Sequence, residues 1–249
     1  DFSSYSEASL KRRIQRIFDL YRIRTLRDLL KLLKNNSDSL KHFVEEVTVN
    51  VTEMFRDPGF YKTLRNEVIP RIGSKPFIRI WHAGCSTGEE VYSMAILLHE
   101  ANLLNKSLLY ATDINPGVLE KARSGIFHLS QMKAYSQNYV ASGGTADFSS
   151  YYTAKYDQAK FSEALSKKMI FSTHNLVSDG SFNSFDIIVC RNVLIYFNKE
   201  LQDKVFQLFD DSLETLSFLA IGSKETIRFS GISHKYTQLG AEKIWRKTH

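Results

Sequence analysis

The stretch Ile78–Glu90, IRIWHAGCSTGEE, decides the fold. Phe77 to Trp81 reads as a buried strand that breaks at Ala83-Gly84 and reaches a second glycine at Gly88. Val91, Met94, Ala95, Leu97 and Leu98 then recur at helical spacing. The reading is strand, tight glycine turn, helix, which lets a ligand approach bare backbone at a helix N-terminus. A dinucleotide site requires G-x-G-x-x-G, so that a pyrophosphate meets the helix dipole. Here the spacing is G-x-x-x-G, and Glu89 and Glu90 stand where phosphate would lie. Acid at that point repels phosphate and favours a cationic or hydroxyl-bearing ligand. S-adenosylmethionine, with an amino group, a ribose diol, a sulfonium and no phosphate, meets that requirement. An ordinary crossover without a ligand is the alternative.

Outward from this turn, strand and helix alternate. A second strand, Leu108–Thr112, ends in Asp113, 25 residues beyond Gly88. That separation suits a ribose-binding acid at the end of the second strand. Capping of the helix that begins near Pro116 is the structural alternative for Asp113. Further strands are expected at Met169–Phe171, at Phe185–Cys190 and at Phe218–Ile221, with a helix from about Lys199 to Leu213 and a last edge strand including Lys243–Arg246. The order implies an α/β fold, a Rossmann-like, doubly wound and mostly parallel sheet. Ligands in such sheets sit at the carboxyl ends of the strands. Gly84–Glu90, Asp113, Asn175-Leu176 and Asn192–Tyr196 all fall on that rim.

Two regions depart from the alternation. Residues 7–50 read as a small helical unit with three apolar stripes, Leu10/Ile14/Ile17/Phe18, Leu26/Leu29/Leu30/Leu32/Leu33 and Leu40/Phe43/Val44/Val47. Thr25 and Ser37 or Asp38 are the expected helix N-caps. Nine basic side chains against two acidic ones between Lys11 and Lys34 give this stretch a charge of +7, where the whole chain carries +6. Such charge either solvates a helix face or docks an acidic partner, protein or nucleic acid. Residues 125–168, rich in Tyr, Ser and Gly, read as an insertion of short strands or hairpins with a possible turn at Gly143-Gly144. The expected division is residues 1–57 for the basic helical domain and its junction, and 58–249 for the ligand-binding domain. A helix from Pro58 to about Ile72 opens the second part.

Composition is that of a globular protein, with 43% hydrophobic residues and 249 residues in all. No apolar run reaches membrane-spanning length, and no signal peptide is visible. The chain starts at Asp1 without a Met, so further N-terminal residues are expected. Cys85 and Cys190 make no metal-type spacing. No metal site is expected, and the cysteine usage suits a cytoplasmic protein.

At this point the residues resemble the CheR-type chemotaxis receptor methyltransferases. The matching stretches are Asn50-Val-Thr-Glu-Met-Phe-Arg-Asp57, Ala83-Gly-Cys-Ser-Thr-Gly-Glu-Glu90, Ala111-Thr-Asp-Ile114, His174-Asn-Leu176 and Cys190-Arg-Asn-Val-Leu-Ile-Tyr-Phe197. The resemblance implies a class I S-adenosylmethionine-dependent enzyme that methylates glutamate side chains on bacterial chemoreceptors. It implies that Asn50, Thr52 and Arg56 close over the cofactor from the junction. Gly84 gives the turn, and Glu90, with Glu89, and Asp113 hold the amino and ribose ends. Asn175 and Leu176 flank adenine, and Asn192 and Val193 the methionine end. Arg56 and Tyr196 line the methyl-transfer site. The basic unit, through Arg12, Arg13, Arg16, Arg24 and Arg27, would face the receptor's acidic methylation helices, and the insertion takes the place of the family's β-subdomain.

The rivals are a nucleic-acid methyltransferase, a non-enzymatic cofactor sensor and an NAD oxidoreductase. No Asn/Asp-Pro-Pro-aromatic motif and no Pro-Cys pair occurs, which weighs against nucleic acid. The Glu89-Glu90 pair weighs against NAD.

Overall fold

The computed structural model describes residues 5–47 and 52–249. Helices α1 (Glu7–Tyr21), α2 (Leu26–Asn35) and α3 (Ser37–Val47) pack around Ile17, Leu29 and Val47. Thr25 caps α2, its Oγ1 accepting the Asp28 N–H at 3.2 Å. The cap of α3 lies one residue earlier than Ser37. Asn36 is extended, and its Oδ1 accepts the Ser39 N–H at 3.2 Å. An asparagine just before the helix can do what a serine inside it cannot.

The junction enters α4 (Pro58–Thr63), which runs through a π-helical turn (Leu64–Val68) into α5 (Ile69–Ile72). Strand β1 (Ile78–Ala83) feeds α6 (Glu89–Glu100), and β2 (Ser107–Asp113) feeds α7 (Pro116–Ser124). The insertion holds β3 (Ile126–His128), α8 (Met132–Ala141), β4 (Tyr152–Lys155), β5 (Gln158–Phe161) and α9 (Glu163–Ser166). Strands β6 (Met169–Thr173) and β7 (Phe185–Cys190), helix α10 (Lys199–Ser212) and strands β8 (Leu213–Ile221), β9 (Tyr236–Leu239) and β10 (Ile244–Lys247) complete the chain.

Among the described residues the main sheet has seven strands in the order β6-β2-β1-β7-β8-β10-β9. All neighbours up to β8 are parallel, and β10 runs antiparallel to both β8 and β9. The strand order reverses between β1 and β7, in register Ile80↔Ile187. A crevice opens at such a reversal, at the carboxyl ends of the strands. Every residue of β7 is buried, as expected of a strand covered on both faces. One core lies on the α6 side around Ile80, Val91 and Leu109, and the other on the α10 side around Trp81, Ile188 and Phe209.

Two expectations are corrected. Lys243–Arg246 does contain a strand, but β10 is interior, and the edge is β9, whose YTQL is too polar to declare itself. The insertion carries a three-stranded antiparallel sheet, β3-β5-β4. Its part around Tyr135 and Tyr139, however, forms helix α8, and Gly143-Gly144 follows that helix instead of turning a hairpin. Buried Tyr135 and Tyr139 stand one helical turn apart on α8.

The insertion is tied to α6 through Glu100. Its carboxylate accepts from Arg65 at 2.6 Å, from the Tyr151 hydroxyl at 3.0 Å and from the Tyr139 hydroxyl. Removing one partner of a largely buried pair strands the other charge. Glu100→Ala is therefore expected to lower unfolding free energy by about 3 kcal/mol. Urea denaturation checks this, and loss should extend to the near-ultraviolet signal of the Tyr-rich insertion.

Candidate active site

The glycine turn is built by backbone geometry. Gly84 and Gly88 have φ of +76° and +95°, and Ser86 between them has φ +50°. The Gly84 and Cys85 amides donate to the Thr112 carbonyl at 2.8 and 2.9 Å, binding the turn to the end of β2. A Cβ on Gly84 would lie 2.5 Å from Val193 Cγ2, so this glycine lets the loop after β7 close against the turn.

Asp113 holds the turn from the other side. Its carboxylate accepts the Ser86 amide at 2.9 Å and the Asn115 amide at 3.0 Å. Asn115, not Asp113, caps α7, its side chain accepting from Gly117 at 2.8 Å. Burial pushes the Asp113 carboxyl up, against the pull of these amides.

Glu89 and Glu90 point apart, as successive residues on a helix must. Glu90 meets His82 Nδ1 at 3.0 Å and Arg191 Nη1 at 3.3 Å. Burial opposes its charge, yet His82 and Arg191 outweigh it and hold the carboxyl below its ordinary value. Glu89 instead accepts from Thr87 Oγ1 at 2.6 Å and faces Tyr135 at 3.4 Å, and burial pushes it up. It lines a separate cavity with Thr52, Thr87, Lys121 and Phe127. The expectation that both glutamates share one site is corrected.

One cavity of about 430 Å³ gathers the other described candidates: Thr52, Arg56, Gly84, Glu90, Asp113, Asn175, Leu176, Asn192, Val193 and Tyr196. Asn50 lies outside the described residues. Of the basic side chains on α1 and α2, Arg13 reaches this cavity, its guanidinium 5.3 Å from the Tyr196 ring centroid. Arg16 pairs with Glu46 at 3.2 Å, and Arg12, Arg24 and Arg27 are exposed. Burial raises the Tyr196 hydroxyl, while Arg13, Arg56 and Arg12 pull it down. The start of α1 is fastened to this rim: Ser6 N–H donates to the Tyr196 carbonyl at 2.7 Å, and Tyr5 stacks edge-on against Phe197 at 5.1 Å.

Two supporting side chains were given no role in the sequence reading. Arg191 is 3% exposed, with Nη2 at 2.5 Å from Asp57 Oδ2 and 3.0 Å from the Arg56 carbonyl. Glu225 accepts the amides of Gly222, Asn192 and Ile195 at 2.5, 3.2 and 3.3 Å, and fixes the loop after β7 where Asn192 has φ +62°. Arg191 follows the last residue of β7, so its strand-end position was the available signal. Glu225 is close in sequence to none of the motifs, and only the fold brings it there.

The donor set fits S-adenosylmethionine. Two carboxylates, Glu90 and Asp113, suit an ammonium and a diol. Ser86 Oγ and His174 Nδ1 are buried in this wall with no protein partner, and so keep polar capacity for a ligand. Among the described residues, no group of His, Cys, Asp and Glu could hold a metal, and no helix is long and apolar enough to cross a membrane.

A sheet with this strand order and one reversed strand, carrying acids at the ends of the glycine turn and of β2, defines a class I S-adenosylmethionine-dependent methyltransferase. Comparison with known families narrows the class. The CheR methyltransferase SAM-binding domain matches residues 50–244, and the CheR all-alpha domain matches residues 1–48. Cher3 of Pseudomonas putida, named as a methyltransferase, is 43% identical over all of this chain and 91% of its own. The chemotaxis protein methyltransferase of Listeria innocua is 33% identical, covering 91% of this chain and 84% of its own. That of Salmonella typhimurium is 32% identical, covering 85% and 72%. The chain belongs to the CheR methyltransferase family, and its cofactor is S-adenosylmethionine.

The two glutamates provide a direct test. Glu90→Gln is expected to weaken S-adenosylhomocysteine binding by roughly tenfold or more, the loss of one charge-assisted hydrogen bond. Glu89→Gln should change it less than about twofold. Titration calorimetry distinguishes the two, and equal losses would return Glu89 to the site.

Proposed function

We propose that this chain methylates glutamate side chains on the cytoplasmic helices of chemoreceptors, giving glutamate methyl esters. The observation that carries the reading is the sharing of one cavity by Arg13, Arg56 and Tyr196 with Glu90 and Asp113. Acids suited to the cofactor and cations suited to a carboxylate acceptor thus line a single chamber. The names of the Listeria and Salmonella relatives, chemotaxis protein methyltransferases, support the same reading.

Bound S-adenosylmethionine supplies a methyl carbon made electrophilic by the sulfonium. Glu90 would hold the amino end, Asp113 the ribose, Asn175 and Leu176 the adenine, and Asn192 and Val193 the methionine end. Thr52 closes from the junction. An acceptor glutamate is already ionised at pH 7, because its reference pKa is about 4.3. No general base is required and no proton moves. When bound, S-adenosylmethionine would give its methyl group to an acceptor carboxylate oxygen, the carbon–sulfur electron pair leaving with sulfur. Arg56 orients the carboxylate through its fork of donors. Tyr196 donates a softer hydrogen bond beside the reacting carbon. Too tight a grip would stabilise the ground state and slow transfer. Held geometry is what accelerates the step, an effect worth roughly 7–11 kcal/mol in well-oriented systems.

On this reading residues 1–57 face the acceptor and lend Thr52 and Arg56 to the chamber, and 58–249 carry the rest of the chemistry. Arg12, Arg16, Arg24 and Arg27, exposed on the helical unit, meet the acidic receptor helices, with Arg13 at the inner margin.

The test uses methyl-labelled S-adenosylmethionine and a chemoreceptor cytoplasmic fragment. Label released by mild base as methanol is the expected product. Arg56→Ala should lower turnover by about two orders of magnitude, in the range of lost orienting and electrostatic contacts. Tyr196→Phe should lose less. Wild-type turnover in Arg56→Ala would sink the assignment of Arg56.

A further inference from the structure

We propose that Arg191 is a positioning residue that holds Arg56 in register with Glu90. The inference rests on the function just proposed and names a part of the machinery that it does not use. Arg56 lies between two residues in left-handed backbone, Phe55 at φ +52° and Asp57 at φ +59°. Non-glycine residues hold such angles only when their surroundings enforce them, and such strain gathers at functional sites.

The enforcing contacts are on both sides. Phe55 is buried, its amide donating to Ser93 Oγ at 2.9 Å and its ring packed against Tyr61 and Tyr139 at 5.0 and 5.2 Å. On the other side stands Arg191. One Nη2 reaches both the Arg56 carbonyl and the Asp57 carboxylate, while Nη1 reaches Glu90. The guanidinium stacks 4.1 Å from the Phe60 ring centroid, so its plane is set. A rigid fork of donors thus measures the separation of the junction backbone from the first turn of α6. Lysine offers a point charge and cannot span three acceptors in one plane.

A plain counter-ion for Glu90 would need none of the contacts to the junction. Asp57 separates the two roles. It is the N-cap residue of α4 but makes no side-chain cap hydrogen bond, and its side chain is 43% exposed. Asp57→Asn therefore takes the charge from one arm of the clamp and leaves only a neutral amide acceptor there, without uncapping the helix or burying an unpaired charge. It also keeps the fold testable if Arg191 variants fail to fold.

The experiment measures three things on wild type, Asp57→Asn and Arg191→Lys: kcat and KM for a receptor fragment, S-adenosylhomocysteine affinity by calorimetry, and amide hydrogen exchange at Phe55 and Phe60. For Asp57→Asn the expected result is kcat lowered about tenfold, product affinity within threefold of wild type, and faster exchange at both amides. Arg191→Lys should lower kcat about a hundredfold and also weaken product binding, because Glu90 loses its partner. Wild-type kcat and exchange in both variants would overturn the inference. So would lowered product affinity in Asp57→Asn with kcat unchanged, since that marks a counter-ion alone. If wild type itself transfers no methyl to receptor glutamate, the proposed function fails, and exchange decides the clamp: faster exchange in Asp57→Asn upholds it and unchanged exchange overturns it.

Discussion

A guanidinium buried between two carboxylates and a carbonyl is expensive unless its partners are in place, and at Arg191 two separate stretches supply them, with Nε alone left unpaired. Glu90 comes from the helix after β1, Asp57 and the Arg56 carbonyl from the junction, and Arg191 itself from the end of β7. Desolvating the cation makes each attraction stronger and each absence more costly. His82 carries the same network inward, its Nδ1 on Glu90 and its ring buried in β1. The site is therefore assembled by charge at one point where the sheet's strand order reverses. Packing of the two cores brings the strands to that point, but the ionic contact specifies how the junction lies against them.

Much of this was legible in the sequence, for an identifiable reason. The β1 turn and α6 follow from Gly84, Gly88 and an apolar helical period, all local signals. The strands at Asp113 and Cys190 are runs of apolar residues buried on both faces, and their carboxyl ends mark the crevice without knowledge of contacts. What was not legible depends on direction or on distant partners. Glu89 and Glu90 are neighbours in sequence, yet a helix turns them toward different cavities. The segment Met132–Ala141 read as short strands or hairpins because tyrosine favours strands as a type. It is helical because Tyr135 and Tyr139 share one buried face. Glu225 works through three backbone amides of loops brought together only by the fold. Asn36 took the cap from Ser37 by a single residue, within the ordinary uncertainty of helix boundaries.

The helical unit at the start of the chain is joined to the site by small contacts of unlike kinds. A backbone hydrogen bond from Ser6, an edge-on ring contact from Tyr5 and a cation over a ring from Arg13 all meet the segment Tyr196-Phe197. None is strong alone, since a cation–π contact at a partly exposed site contributes about 0.5–1 kcal/mol. Together they place a basic helix beside the residue that lines the reaction chamber. The charge of Arg13 and Arg12 on that helix therefore reaches the Tyr196 hydroxyl and draws it down against burial.

Helix α6 joins two ends of the molecule that have different tasks. Its first turn carries Glu90, and its last residue, Glu100, takes the hydroxyls of Tyr139 and Tyr151 from the insertion. Twelve residues of helix make a rod about 18 Å long. The insertion thus grips the far end of a stiff element whose near end faces the cofactor. The insertion's exposed positions are free of that grip, while Tyr139 also packs on Phe55 beside Arg56, so the same ring serves the far end of α6 and the junction.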